Sequence, residues 1–162
     1  MRARKKKHTP DRMEKCSDIL IKDPFQHKGS WKKLFNNDNP IHIEIGCGKG
    51  GFITACAAQN PDINYIAIER TPDVIVLALE RVKASGLKNI LFICENASLL
   101  NEFFDKGEIS IIYLNFSDPW PRNGNRKRRL THSVFLEKYK SVLSHGGYLY
   151  FKTDNQKLFE FS

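Results

Sequence analysis

Cysteine is scarce here and badly spaced for chemistry. Cys16, Cys47, Cys56 and Cys94 form no CxxC pair and have no paired histidines beside them, so neither a zinc site nor a disulfide framework is indicated. Free thiols of this kind suit a reducing compartment. Long apolar runs are also missing, and no stretch approaches the ~20 residues that span a bilayer. Arg2 to Lys7 has the charge of a signal peptide's first segment, but His8, Thr9, Pro10 and Asp11 follow where an apolar core is required. There is no internal repeat. These absences predict a soluble, cytoplasmic protein with no metal and no membrane partner.

What is present is charge in two places. The 162-residue chain carries +8, yet residues 1–33 hold eleven cations against four acids and residues 121–130 hold five cations and no acid, leaving the remainder at −4. A mildly acidic body with concentrated positive segments points to a polyanionic partner, foremost nucleic acid. The bland alternative for the first segment is a solubility tail. Length predicts one domain. Residues 1–36 read as a basic arm, partly disordered until something binds it, and residues 37–162 as the folded domain. Trp31, Leu34 and Phe35 suit a short helical turn that docks the arm on the body.

The most informative stretch runs from Ile109 to Leu130. Ile109, Ile111, Ile112, Tyr113, Leu114 and Phe116 form a short β-rich run of the kind buried on both faces of a sheet. Pro119 and Pro121 then bracket Trp120 and end the strand, leaving Asp118 and a large ring at its carboxyl end. In open α/β sheets ligands bind at that edge. Arg122, Arg126, Lys127, Arg128 and Arg129 follow at once, and a carboxylate, an aromatic plane and a cationic loop together suit a nucleobase with its flanking phosphates. Asp118 could instead be a turn residue, and Trp120 a filler beneath the loop.

The same logic places a second ligand upstream. Ile41–Ile45 reads as a strand feeding Gly46, Cys47, Gly48, Lys49, Gly50 and Gly51, which open a helix over Phe52–Gln59. This is the nucleotide-binding corner of a doubly wound fold. Glycine spacing alone would serve NAD, FAD or S-adenosylmethionine. Glu44 separates them, because a carboxylate there repels a dinucleotide's phosphates and attracts the ammonium and sulfonium of S-adenosylmethionine; a capping or salt-bridged glutamate is the structural alternative. A second strand, Asn64–Ile68, ends at Glu69, suited to ribose hydroxyls, and a third, Ile90–Cys94, precedes Asn96, which suits an adenine edge or simply a turn. A helix runs from Pro72 to a stop at Gly86, and another from Ser133 to Leu143, closed by His145, Gly146 and Gly147. Tyr148–Lys152 is a fifth strand ending in Thr153, Asp154 and Asn155. The order predicts an α/β fold, doubly wound around a mainly parallel sheet.

Four stretches, WKKLFNNDNPIHIEIGCGKGGF (31–52), YIAIER (65–70), FSDPWPRNGNRKRRL (116–130) and FKTDN (151–155), strongly resemble the bacterial tRNA (guanine-N7)-methyltransferases. The resemblance covers nearly the whole chain from about Lys28, and the joint occurrence of EIGxGKGxF, DPWP and KRRL is highly specific. It implies a class I, Rossmann-like S-adenosylmethionine-dependent methyltransferase that modifies the variable-loop guanine of tRNA, position 46, as a monomer or homodimer. Carried over by motif, cofactor contacts fall on Glu44, Glu69, Asn96 and Asp118, with Gly46 and Gly48 forming the turn. Asp118 is the candidate catalytic residue, substrate contacts fall on Arg122 and Asp154, and the loop at Gly124–Arg129 meets RNA through Arg126, Lys127, Arg128 and Arg129.

Two departures qualify the match. Asn123, Gly124 and Asn125 replace most of a longer basic run, which weakens phosphate grip there. The family also continues past the fifth strand with a helix, an antiparallel strand pair and a Thr-x-x-Glu motif absent before Ser162, so the C-terminal strands are expected to be missing. With family strand order 3-2-1-4-5-7-6, Tyr148–Lys152 would then be an exposed apolar edge. Three alternatives remain: a methyltransferase of exocyclic base amines, an NAD-dependent oxidoreductase, and a non-catalytic RNA-binding remnant. The oxidoreductase leaves Glu44, DPWP and the basic loop unexplained.

Overall fold

A computed structural model describes residues 5–162. Its centre is a parallel five-stranded sheet in the order β3-β2-β1-β4-β5, the first five positions of the expected order. The strands β1 (Ile41–Ile45), β2 (Asn64–Ile68) and β3 (Ile90–Ile93) are buried at every position. Their unbroken apolar runs reflect helices on both faces, the usual reason for the absence of alternation in parallel sheets. In chain order the helices are α1 (Thr9–Glu14), α2 (Trp31–Phe35), α3 (Gly51–Gln59), α4 (Pro72–Ser85), α5 (Leu100–Phe103), α6 (Ser133–Val142) and α7 (Gln156–Phe161). One core gathers Trp31, Ile43, Ile66, Phe103 and Tyr139 beneath α2, α5 and α6. The other gathers Ile53, Tyr65, Ile75, Leu79 and Phe92 beneath α3 and α4.

Local sequence explains the element ends. Pro72 opens α4, where its missing N–H costs nothing, and Gly86 closes it in the left-handed conformation (φ 74°). A side chain at Gly50 would put its Cβ 2.7 Å from that of Ala78, so this glycine lets α3 start against α4. β4 (Ile109–Asn115) stops one residue short of Phe116, which turns to φ 53°.

The fifth strand begins earlier than the sequence suggested. β5 runs Leu143–Lys152, and His145, Gly146 and Gly147 lie inside it instead of closing a helix. Ile109 pairs with Leu143 and Ile111 with Tyr148, so two steps along β4 match five along β5 and the excess bulges out. A Cβ on Gly147 would sit 2.9 Å from the Ser110 carbonyl oxygen, which is why the bulge needs glycine there. β5 is the sheet's edge, with Tyr148 62% and Tyr150 50% exposed, while Leu149 and Phe151 pack inward.

The stretch expected as an arm packs on the body from its first helix onward; Arg2 and Arg4 lie outside the described residues. Arg12 donates two hydrogen bonds of 2.6 Å to the Glu80 carboxylate on α4. Leu20 forms a parallel bridge to Phe92, with Ile21 N–H donating to the Phe92 carbonyl (2.9 Å) and Phe92 N–H to that of Ile19 (2.8 Å). The segment thus covers the β3 edge, one way of protecting an open strand. Trp31 is fully buried and its indole N–H donates to the Phe103 carbonyl at 2.7 Å. No helix among the described residues is long and apolar enough to cross a membrane.

Candidate active site

The order of the sheet reverses between β1 and β4, and there the carboxyl ends of β1–β4 frame a cleft of about 650 Å³. Gly46, Glu69, Asn96, Asp118, Lys127 and Arg128 of the anticipated residues line it. Glu44, Gly48, Arg122, Arg126, Arg129 and Asp154 do not, for differing reasons.

Glu44 lies below the floor, 3% exposed, on a strand flanked by β2 and β4. Its Oε1 accepts a hydrogen bond from Asn115 Nδ2 at 3.3 Å, while Oε2 is buried with no partner. Burial pushes its pKa up to about 7, opposed by the Asn115 bond and reinforced by the charge of Glu69. No cation pairs with it among the described residues, which sets aside the salt-bridged alternative. An orphaned buried carboxylate oxygen is costly unless a ligand supplies the missing charge. S-adenosylmethionine, with an ammonium and a sulfonium, fits that donor set.

The glycine turn is held from the neighbouring strand. Gly46 and Cys47 N–H groups donate to the Ile68 carbonyl at 2.8 and 3.0 Å. Glu69 Oε2 accepts from Gly48 N–H (3.2 Å) and Oε1 from Thr71 N–H (3.0 Å), so Glu69 fixes the turn and keeps lone pairs free for further donors. Asn96 Oδ1 accepts from Ser98 N–H at 2.9 Å. Its turn role is therefore real, and its amide N–H₂ remains open to the cleft it lines.

Past β4, Phe116 N–H donates to the Lys152 carbonyl at 2.8 Å, tying the start of the DPWP segment to β5. Asp154, on the same edge of the sheet, is exposed outside the cleft lining. Asp118 faces the cleft with its side chain 73% exposed, 4.0 Å from the Arg70 guanidinium. Trp120 adopts φ 42° and lies under two cations, Arg70 at 5.7 Å and Arg128 at 5.0 Å from its ring centroid. The supposed basic loop is wound into a 3-10 helix over Asn123–Arg128, with Arg122, Arg126, Lys127 and Arg128 all exposed.

Arg129, expected with its neighbours to meet RNA, lies differently from them. It is 8% exposed, donates from Nε to the Pro119 carbonyl (3.0 Å) and from Nη2 to that of Trp120 (3.2 Å), and lies 4.4 Å from the Phe161 ring centroid. Its Nε and Nη2 are thus engaged by the loop's own carbonyls. Arg70 and Lys138 line the cleft and were not singled out from sequence. Arg70 was findable, since it follows Glu69 at a strand's carboxyl end; Lys138 on α6 reaches the cleft only through tertiary packing. No cluster of three metal-binding side chains occurs among the described residues.

The solved structure of the antibiotic-resistance methyltransferase Kmr superposes with a TM-score of 0.59 over 80% of this chain and 69% of its own, at 20% identity, a likeness of fold alone. The parallel sheet, glycine turn and paired acids at the ends of β1 and β2 are those of a Rossmann-like S-adenosylmethionine-dependent methyltransferase. A family model described as "Putative methyltransferase" matches residues 38–162. The chain is 53% identical, over all 162 residues, to the tRNA (guanine-N(7)-)-methyltransferase of Bacillus velezensis, of which it covers 75%. It is 51% identical to that of Bacillus subtilis, covering 76%. It belongs to the tRNA (guanine-N(7)-)-methyltransferase family.

Proposed function

We propose that the chain methylates N7 of a guanine in tRNA, the variable-loop guanine at position 46. One observation carries the reading: a buried carboxylate with one unpartnered oxygen lies next to the glycine turn of a switch-point cleft that Asp118 and a cationic 3-10 segment line. When bound, S-adenosylmethionine supplies an electrophilic methyl group. Guanine N7 keeps its lone pair at neutral pH, so no base has to remove a proton. The work left to the protein is alignment of N7 and exclusion of water, worth up to ~7–11 kcal/mol in favourable cases.

Each residue has a part in that alignment. Glu44 answers the cofactor's cationic end from beneath the turn, Glu69 the ribose and Asn96 the adenine edge. Asp118 accepts from guanine N1 and N2 donors and faces the positive charge that the purine acquires. Asp154 approaches the same base from the next strand. Arg122, Arg126, Lys127 and Arg128 neutralise the phosphates on either side.

The test is transfer of a labelled methyl group to unmodified tRNA, followed by mapping of the modified base, for the parent and for Asp118→Ala. Label at N7 of a variable-loop guanine, lost roughly 100-fold or more in the variant, is expected. Label on an exocyclic amine, or an Asp118→Ala protein at the parent rate, overturns the assignment.

A further inference from the structure

The basic N-terminal segment is attached to the body in a way that a solubility tail does not require. Thr9, 6% exposed, donates from its hydroxyl to Asp73 Oδ1 at 2.6 Å, and the backbone N–H of Lys6 donates to the same oxygen at 3.2 Å. Both bonds hold the Asp73 carboxylate below its usual range, the threonine bond first. Two helical turns further along α4, the Arg12–Glu80 pair fixes α1 in place.

The place of attachment matters. Asp73 sits in the first turn of α4, which opens two residues after Arg70, a wall of the cleft. Pro72 and Glu95 join Thr9, Pro10 and Met13 around a smaller groove of about 400 Å³, and Glu95 also lines the cleft. The Lys6 backbone is therefore tied to the first turn of α4, which connects β2 to β3, whereas Arg122–Arg128 follow β4. Lys5 and Lys7 are exposed, and none of the three lysines forms an ion pair among the described residues.

We propose that Lys5–Lys7, pinned to α4 through Thr9 and Asp73, form a second phosphate-binding surface for tRNA on the flank of the cleft opposite Arg122–Arg128. The proposal rests on the tRNA reading above. Two cationic segments astride one switch point grip the backbone on both sides of the target base. Phosphate contacts of this kind fix register and orientation without reading sequence.

The experiment compares the parent chain with a Lys5→Gln/Lys6→Gln/Lys7→Gln triple variant, Thr9→Val and Asp73→Ala. Salt titrations of tRNA binding and Michaelis kinetics for both substrates are measured on each. The triple variant should lower the log–log salt slope by ~1–2, at ~0.7–0.9 per phosphate contact, and raise KM for tRNA with KM for S-adenosylmethionine unchanged. Asp73→Ala removes the acceptor of both bonds and separates pinning from net charge. It removes a negative charge and would tighten RNA binding if charge alone mattered, whereas loss of the pin weakens it. Thr9→Val leaves charge untouched and should also weaken binding. An unchanged slope in the triple variant, or Asp73→Ala and Thr9→Val proteins that bind as tightly as the parent, overturns the proposal. Failure of the function reading looks different: the parent itself would not methylate N7, while the salt slopes still report the lysines. A parent that does not bind tRNA sinks both.

Discussion

Replacing Arg129 by methionine keeps the apolar stem and removes the guanidinium that holds the Pro119 and Trp120 carbonyls. Each hydrogen bond from a charged donor contributes ~1.5–3 kcal/mol, and stacking on Phe161 adds about 1. Partial rehydration of the freed carbonyls brings the expected loss to roughly 2–4 kcal/mol. The left-handed backbone at Trp120 costs about 1–3 kcal/mol to maintain. The clamp and the strain are thus comparable, and without the clamp the turn has little reason to stay. For a domain of this size, Tm should fall by about 5–15 °C. Displacing Asp118 by ~1 Å is enough to slow transfer about 100-fold. Arg129→Lys can reach one carbonyl and should fall between parent and Arg129→Met. Thermal melts, methyl-transfer rates and salt titration of tRNA binding together decide the matter. The salt slope should not move. An Arg129→Met protein with parental Tm and a slope reduced by ~0.7–0.9 would make Arg129 a phosphate ligand and refute the clamp.

Two further predictions concern pH and the sheet edge. Because the pKa of Glu44 is raised from 4.5 to about 7, the native state keeps a proton that the unfolded chain gives up, and stability falls as pH rises through that window. The loss is up to ~3 kcal/mol, so Glu44→Gln should melt progressively higher than the parent from pH 5 to 7.5 while binding S-adenosylmethionine poorly; parallel stability curves would contradict this. Tyr148→Lys charges the exposed face of the edge strand, and sedimentation at rising concentration should show less self-association, with equal behaviour counting against an adhesive edge.

The chain announces its sheet plainly because the signals there are local. Buried parallel strands read as short apolar runs, and Glu69, Asn96 and Asp118, singled out for their places at the carboxyl ends, line the cleft. Glu44 was singled out by charge, and its orphaned oxygen shows only in three dimensions. Arg129 was hidden among five cations of equal appearance, since the 3-10 winding that turns it inward leaves little mark on composition. The packing of the N-terminal segment was hidden because Thr9, Cys16 and Leu20 are isolated buried residues in a polar background. Their partners lie on α4 and β3, more than fifty residues away in sequence. The early start of β5 was obscured by Gly146 and Gly147, whose ordinary meaning is a turn.

The bulge beside Gly147 acts as a phase setter. If the bulge kept its excess, removing one residue from Ser144–Gly147 would turn Leu149 and Phe151 outward and drive Tyr148 and Tyr150 into the core. Removing two would restore the faces but drag Asp154 about 6.6 Å along the strand axis, away from Asp118. Parity protects the core, and only the full count protects the site. Length change in this stretch is therefore tolerated only as far as the bulge itself takes it up.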